Sequence, residues 1–238
     1  MAVNLSDIAA MGGLPSWCII SLGLPRAHAR TVRALYRGIE EIATTFGVAV
    51  VGGNLSRSAV LFVDVFMLGS VEKDRLTLRS TARPGDAIYV TGSLGGSQKG
   101  RHLSFTPRIR EARRLIGKAP VTAMMDISDG LSSDLARMAR ASGAGFRLDA
   151  DAIPVSPDIS RARANARAAV RHALNDGEDY ELLFTVPPEG VRQVPHTVFS
   201  VPVTRVGEIT AARKYRVLFH GREETLPDDG YDHFPASR

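Results

Sequence analysis

The chain has 238 residues, of which 44% are hydrophobic and 23% charged. That length and composition suit one large domain or two small ones with a substantial apolar core. The formal charge is +5, which favours anionic partners but does not choose among nucleic acid, phosphorylated small molecules and membrane surfaces. The single cysteine, Cys18, excludes a disulfide framework and a cysteine-based metal cluster.

The sequence predicts a soluble, cytoplasmic protein. Asp7 and Pro15 occur where a signal peptide would be apolar, and no basic n-region precedes them. The strongly apolar run AVLFV at 59–63 ends at Asp64, far short of a membrane span. One cysteine and no leader make a reducing cytosol the expected location.

The first predicted element is a short helix from Asn4 to Met11, closed by Gly12-Gly13 and capped by Ser6 or Asn4. Next come a buried strand and a long helix, the latter predicted because apolar residues recur every three or four positions. Two further strands follow. These predicted elements are a strand at 17–25, a helix at 32–46, a strand at 48–51 that runs into Gly52-Gly53-Asn54, and a strand at 59–71.

The polar, turn-forming segment RSTARPGD at 79–86 predicts a boundary between a domain at 1–78 and a domain at 79–238. After it, strands and helices interleave, so the predicted fold class is α+β, or mixed α/β, with two sub-domains. The predicted strands are at 87–92, 122–126, 180–186, 196–203 and 215–219, and the predicted helices at 107–116 and 131–143. Arg163, Arg167 and Arg171 are four residues apart, which is typical of a solvated helix face rather than a nucleic-acid surface.

Three segments place acidic residues beside a turn: Asn4-Leu5-Ser6-Asp7, Asp126-Ile127-Ser128-Asp129-Gly130 and Gly177-Glu178-Asp179. Carboxylates without cysteine suit Mg²⁺, which prefers oxygen ligands. The alternative is helix capping, since Asp and Ser at helix starts accept unpaired backbone N–H bonds. Each segment alone is more typical of a cap. The occurrence of three such segments in one chain favours a metal site, although spacing alone does not show that they meet in the fold.

Two glycine-rich segments, 52–54 and 91–96, are candidates for a phosphate cradle. Neither is a P-loop or a dinucleotide-binding fingerprint, and the alternative for both is an ordinary turn. The histidines have no metal-ligand spacing, and no nucleophile–base pair is legible.

The segments AVNLSDIAAMGG, VVGGN, RPGDAIYVTGSLGGS, MMDISDGLSSDL, GEDYELLFTV and GYDHF occur in the order found in thiamine-monophosphate kinases. Over residues 2–234 the chain resembles that family, which belongs to the superfamily of aminoimidazole-ribonucleotide synthetase and selenophosphate synthetase. The resemblance implies a partial N-terminal synthetase-like domain and a C-terminal ATP-binding α/β sandwich. It also implies a homodimer that uses ATP and Mg²⁺ to phosphorylate thiamine monophosphate to thiamine diphosphate by direct in-line transfer, which is a phosphotransferase reaction.

By the same resemblance, Asp7, Asp126 and Asp129 are Mg²⁺ ligands. The family's glycine pair is normally followed by aspartate and threonine, whereas this chain has Asn54 and Leu55. An amide oxygen can coordinate Mg²⁺ but adds no negative charge, so Asn54 is expected to be a weak ligand.

The remaining expected contacts also come from the resemblance. Gly53, Arg79 and Ser128 correspond to residues that contact ATP. Glu178 and Tyr231 correspond to residues that touch the thiamine substrate.

Family members carry a Gly-Asp-Asp element and a Thr-Asp strand before the NLSD motif, and this chain begins almost at that motif. The resemblance therefore implies an N-terminally short homologue with an exposed sheet edge, which favours self-association. Two alternatives stay open: a catalytically impaired nucleotide-binding homologue or fragment, and a related superfamily kinase or synthetase with another substrate. The GEDYELLF motif argues against the second. Neither nucleic-acid nor membrane binding is expected.

Overall fold

The computed structural model describes residues 1–25, 29–159 and 165–226. Within these ranges the chain forms five α-helices and eleven β-strands. The helices are α1 (Ala2–Ala10), α2 (Ala29–Phe46), α3 (Ile109–Ile116), α4 (Leu131–Ala141) and α5 (Ala166–Asn175). The strands are β1 (Leu14–Leu24), β2 (Ala49–Arg57), β3 (Phe62–Ser70), β4 (Ala87–Thr91), β5 (Ala123–Asp126), β6 (Gly145–Asp149), β7 (Leu182–Val186), β8 (Thr197–Val198), β9 (Val201–Thr210), β10 (Tyr215–Phe219) and β11 (Arg222–Thr225).

The N-terminal part is a three-stranded sheet in the order β2-β1-β3, in which β1 is parallel to β2 and antiparallel to β3. Its inner face packs on α1 and α2 through a small core that contains Cys18, Ile20 and Leu5. The prediction of a buried strand at 17–25 is half right. Side chains of a strand alternate between its faces, so Trp17 and Ile19 lie on the outer face and are exposed.

The C-terminal part is an eight-stranded, mainly antiparallel sheet in the order β11-β10-β6-β9-β4-β7-β5, with β8 paired to β9. Its two faces carry separate cores. One core contains Leu131 and Leu135 of α4, and the other contains Ala112 and Leu115 of α3. The central strands β4 and β7 are buried on both faces, so their sequences are continuous apolar runs. The predicted mixed α/β class and α/β sandwich are confirmed.

The predicted boundary between 1–78 and 79–238 falls in the segment that connects β3 to β4, and it stays a prediction. Residues of α1 belong to the cores of both parts: Leu5 to the small core and Ala9 to the α3-side core. The helix that carries Asp7 is therefore fixed against the C-terminal sheet as well as the N-terminal one.

The structure corrects several expectations near the N-terminus. Helix α1 begins at Ala2, and neither Ser6 nor Asn4 caps it, because no side chain bonds to its first turn. Asn4 Nδ2 instead donates to the Val65 carbonyl at 2.9 Å. Gly52-Gly53-Asn54 is not a turn, since β2 continues through it to Arg57.

Two expectations in the C-terminal part also change. The predicted strand at 196–203 is a hairpin, in which Phe199 and Ser200 with φ of 48° and 73° make the turn between β8 and β9. Strands β6 and β11 were missed; β11 is short and polar, and such a sequence gives no apolar alternation. No helix in the described ranges is long and apolar enough to cross a membrane.

Candidate functional site

The three acidic segments converge. Ser6 in α1 donates its hydroxyl to Asp126 Oδ2, at the end of β5, at 2.6 Å. The backbone N–H of Glu178 donates to the Ser128 carbonyl at 2.7 Å, and that of Tyr180 donates to the Ile127 carbonyl at 2.8 Å. Short hydrogen bonds therefore tie the NLSD, DISDG and GED segments into one site, which spacing in the sequence left open.

Four carboxylates interact electrostatically with the Tyr180 hydroxyl. Burial, and then the charges of Glu178, Asp126, Asp129 and Asp7 in that order of importance, together raise the pKa of this phenol to about 12. Burial is the largest cause of this shift, and the four carboxylates act in the same direction because each makes the local potential more negative. The site therefore favours a cation, or a ligand that brings cations with it.

Asp126 is the most deeply placed of these carboxylates, at 7% exposure. Burial, together with the charges of Asp7 and Asp134 and against the opposing Ser6 hydrogen bond, raises its pKa from 3.8 to about 7. Burial also raises the pKa of Asp7. Two adjacent carboxylates that resist ionisation together are an arrangement that a bound cation would relieve.

Asp134 is a residue that the sequence analysis missed. Its fully buried carboxylate accepts the backbone N–H groups of Ser128 and Asp129, both at 2.9 Å, and Arg137 Nη1 at 2.7 Å. Burial raises its pKa to about 6. The signal was present, because Leu131, Asp134, Leu135 and Met138 share the buried face of α4 and an acidic residue there needs a partner.

The capping alternative for this segment is wrong. The residue before α4 is Gly130, and no side chain caps the helix. Asp134 reaches back from within the helix to hold the turn, so Asp126 and Asp129 are not needed for that purpose. Asp129 is ion-paired with Arg137.

The residues expected to contact ATP lie in different surroundings. Ser128 is half-buried, and its hydroxyl makes no hydrogen bond within the described residues. Arg79 is exposed, and its carbonyl accepts from Ser142 Oγ at 3.3 Å. Gly53 lies in β2 opposite Ile20, where an added Cβ would come within 1.9 Å of the Ile20 carbonyl oxygen. The close approach of the two strands alone requires a glycine at that position.

Asn54 is not joined to the carboxylates by any hydrogen bond in the described part of the chain. It pairs with Ser21 of β1, and Ser21 pairs on its other side with Asp64 of β3. Cross-strand partners share a face, so these three residues form a polar row on the outer face of the small sheet. Tyr231, the second expected substrate contact, lies outside the described residues.

The glycine-rich turn at 92–96 is held by acidic residues. Asp179 accepts the Gly95 N–H through both carboxylate oxygens, at 3.0 and 2.9 Å, and Asp176 accepts the Gly96 N–H at 2.8 Å. Two N–H groups of the candidate phosphate cradle are therefore occupied by the chain itself. The ordinary-turn alternative describes this segment better.

Across residues 1–25, 29–159 and 165–226, no three histidine, cysteine, aspartate or glutamate side chains form a complete metal-binding group. The carboxylates are near one another in pairs. Mg²⁺ retains several waters and is commonly held by one or two carboxylates together with substrate phosphates. The donor set, which is all oxygen, fits an ion that shares its coordination with a bound nucleotide rather than one enclosed by protein.

Two family models match the chain. AIR synthase related protein, N-terminal domain, matches residues 1–71, and AIR synthase related protein, C-terminal domain, matches residues 83–220. The fold and its acidic site thus define a protein of the AIR synthase related class.

Curated relatives narrow that class. Thiamine-monophosphate kinase of Rhodopirellula baltica is 43% identical over 88% of this chain and 66% of the relative, and that of Salmonella typhimurium is 36% identical over 98% of this chain and 78% of the relative. A solved structure described as AaThiL complexed with AMPPCP and TMP has a TM-score of 0.84 at 32% identity, and covers 98% of this chain and 78% of that one. The chain belongs to the thiamine-monophosphate kinase family, and it spans about two thirds to four fifths of the length of these relatives.

Proposed function

We propose that this chain catalyses the ATP- and Mg²⁺-dependent phosphorylation of thiamine monophosphate to thiamine diphosphate. The observation that carries the proposal is the convergence of the segments that contain Asp7, Asp126, Asp129 and Glu178, which hydrogen bonds from Ser6 to Asp126 and from Glu178 to Ser128 hold together. Joining two phosphorylated anions requires neutralised charge and in-line positioning, with little covalent work for the protein. Family membership and the neighbour complexed with AMPPCP and TMP support the choice of nucleotide and acceptor.

Asp7 and Asp126 are the proposed principal Mg²⁺ ligands, because they are adjacent and lack a cationic partner among the described residues. Bound Mg²⁺ would neutralise phosphate charge and orient the transferred group. Asp129 is a third proposed ligand, and it would exchange Arg137 for the ion. Asn54 is proposed as a weaker ligand from the polar row on β2.

The nucleotide contacts proposed are the Ser128 hydroxyl, the Arg79 guanidinium and the backbone at Gly53. Ser128 and Arg79 have side chains with no hydrogen bond in the described structure, so a ligand can engage them without breaking existing contacts. Glu178 and Tyr231 are the proposed contacts to thiamine monophosphate. The Glu178 side chain is 43% exposed, which leaves its carboxylate accessible to an acceptor.

We also propose that the chain forms homodimers in the cytoplasm. On the outer face of the small sheet, Trp17, Ile19, Phe66 and Leu68 are 54%, 45%, 59% and 49% exposed. A continuous apolar face of this kind marks an interaction surface. The buried, unpaired Cys18 is consistent with a reducing compartment.

Two alternatives are a catalytically impaired nucleotide-binding homologue and a related superfamily kinase with another substrate. They are distinguished from the proposed function by measuring nucleotide binding and phosphoryl transfer on the same preparation. Isothermal titration with a non-hydrolysable ATP analogue and Mg²⁺ reports nucleotide binding, and chromatography of reaction mixtures reports thiamine diphosphate. Binding with transfer supports the kinase, whereas binding without transfer identifies the impaired homologue. Transfer to a different phosphorylated acceptor, with none to thiamine monophosphate, would identify another superfamily kinase.

A matched variant tests the acceptor site. Glu178→Gln keeps the size of the side chain and removes its charge, so we expect a higher KM for thiamine monophosphate with the KM for ATP little changed. Glu189→Gln, a neutralisation in the short helical segment after β7, is the control. Equal effects of the two variants would remove Glu178 from the acceptor site.

A further inference from the structure

The GEDYE motif comprises residues 177–181, and four consecutive residues of it each contact the segment 101–108. We call this segment the bracing segment. Glu178 Oε2 lies 3.9 Å from His102 Nε2, and Asp179 Oδ1 accepts from Arg101 Nη2 at 2.7 Å. The other two contacts involve Tyr180, whose ring stacks on Phe105 with centroids 4.2 Å apart, and Glu181, which receives Arg108 Nη2 at 2.5 Å and Nε at 2.8 Å.

The GEDYE motif is held in an unusual backbone conformation. Glu178 and Tyr180 both have positive φ, 55° and 50°, in the left-handed region that residues with a Cβ seldom adopt. Such a conformation is unfavourable for these residues and persists only where the surroundings fix it. The bracing segment supplies those surroundings.

Arg101 makes the central contacts of the bracing segment. Its guanidinium donates to the Ser93 carbonyl at 2.8 Å as well as to Asp179, and so joins the glycine-rich turn to the acidic motif. Asp179 is 3% exposed, so without Arg101 the described residues would leave its buried charge with the Gly95 N–H as its one hydrogen-bond donor.

We propose that Arg101 is a positioning residue for the phosphate acceptor: by holding the Asp179 carboxylate, it fixes the adjacent Glu178 in the conformation that contacts thiamine monophosphate. This inference rests on the proposed function for the identity of the acceptor. Arg101 itself need not touch the acceptor, because it acts through the one peptide unit between Asp179 and Glu178. Displacing a positioned contact by about an ångström can cost up to a hundredfold in catalysis.

The test is a double-mutant cycle on acceptor binding, with thiamine monophosphate alone as the titrant. Arg101→Met is expected to raise the Kd about tenfold, and Arg101→Lys to recover part of the loss, since lysine keeps the charge without the planar fork. In a Glu178→Gln background, Arg101→Met is expected to add less than about twofold, because the contact it positions is already lost. Arg147→Met is the control, as Arg147 pairs with Glu208 on another part of the sheet at 2.8 Å.

Additive effects across the cycle would overturn the inference, because they would show that Arg101 affects acceptor binding independently of Glu178. If Arg101→Met does not fold, Arg101→Lys carries the cycle, with a smaller expected loss of binding.

A second readout keeps the inference separate from the proposed function. Hydrogen exchange at the Glu178 and Tyr180 amides, which donate to Ser128 and Ile127, is expected to accelerate in the Arg101 variants and not in Arg147→Met. Faster exchange in a protein that does not bind thiamine monophosphate would show that thiamine monophosphate is not the acceptor. The role of Arg101 in fixing the GEDYE motif would still be supported. Unchanged exchange would contradict the claim that Arg101 fixes the conformation of the GEDYE motif, whatever the protein binds.

Discussion

At the residue scale, Asp126 is only 7% exposed. Its carboxylate accepts a hydrogen bond from Ser6 but has no cationic partner among the described residues. Its pKa is about 7 in the folded protein and near 3.8 when unperturbed. The folded state therefore holds a proton that the unfolded chain releases between about pH 4 and 7. The free energy of unfolding therefore falls as pH rises through that window, and it has fallen by the full amount above pH 7.

Asp126→Asn is expected to be more stable than the parent protein and inactive. In EDTA at pH 8, the gain in unfolding free energy should be on the order of 2 kcal/mol, because the variant has no buried charge to ionise. The gain should shrink as pH falls towards 4. Thermal unfolding across this pH range measures it, and a gain that is independent of pH would contradict the account.

Asn54 offers a test of metal binding at the same scale. Asn54→Asp is expected to lower the Mg²⁺ concentration for half-maximal nucleotide binding about fivefold, from roughly 1 kcal/mol of added attraction at water-like screening. Asn165→Asp adds the same charge at the exposed N-cap of α5 and serves as the control. An unchanged Mg²⁺ requirement would exclude residue 54 from the metal site.

At the element scale, the connection between β5 and α4 depends on Asp134 rather than on a helix cap. Asp134→Ala removes an acceptor for two backbone N–H groups and a partner of Arg137. We expect a loss of about 2–4 kcal/mol in unfolding free energy, because buried donors are left without partners. Urea denaturation measures this, with Asp151→Ala at an exposed position as the control. A loss below about 1 kcal/mol would mean that the turn is held in another way.

The elements best predicted from the sequence were those with strong periodicity. The apolar repeat predicted α2 to its C-terminal residue, and the apolar runs predicted β4, β5 and β10 within about two residues. The ordinary-turn alternative for Gly52-Gly53 is wrong: glycine is typical of turns, whereas here Gly53 allows β2 to approach Ile20 closely. Only the tertiary structure contains that information.

The candidate site was predicted in part for a similar reason. Motifs identified Asp7, Asp126, Asp129 and Glu178, but not that their segments meet, since Ser6 and Asp126 are 120 residues apart in the chain. Asp134 and Arg101 were missed, and Asp179 was identified only as part of an acidic segment, because the role of all three is to hold backbone groups and partner charges. Such roles depend on three-dimensional contacts that no spacing reveals.

At the scale of the whole molecule, the helices in the described part of the chain cover one face of the small sheet. Its outer face carries the exposed pair of Ile19 and Phe66, which are cross-strand partners. We expect the purified protein to be a dimer by size-exclusion chromatography with light scattering. Phe66→Glu should make it monomeric, because burying a charge in an apolar interface is costly.

Leu103→Glu is the control for that experiment, since Leu103 is 81% exposed and lies in the C-terminal part. A parent protein that is monomeric at high micromolar concentration, or a Phe66→Glu variant that remains dimeric, would contradict the assignment of this face.

The most direct measurement is the formation of thiamine diphosphate by the purified chain from thiamine monophosphate, ATP and Mg²⁺, followed by chromatography. We expect thiamine diphosphate and ADP to form in equal amounts. We expect no thiamine diphosphate when ATP, Mg²⁺ or the acceptor is omitted, or when folded Asp126→Asn replaces the parent protein. Absence of thiamine diphosphate from a folded parent protein that binds ATP, or undiminished formation by Asp126→Asn, would contradict it.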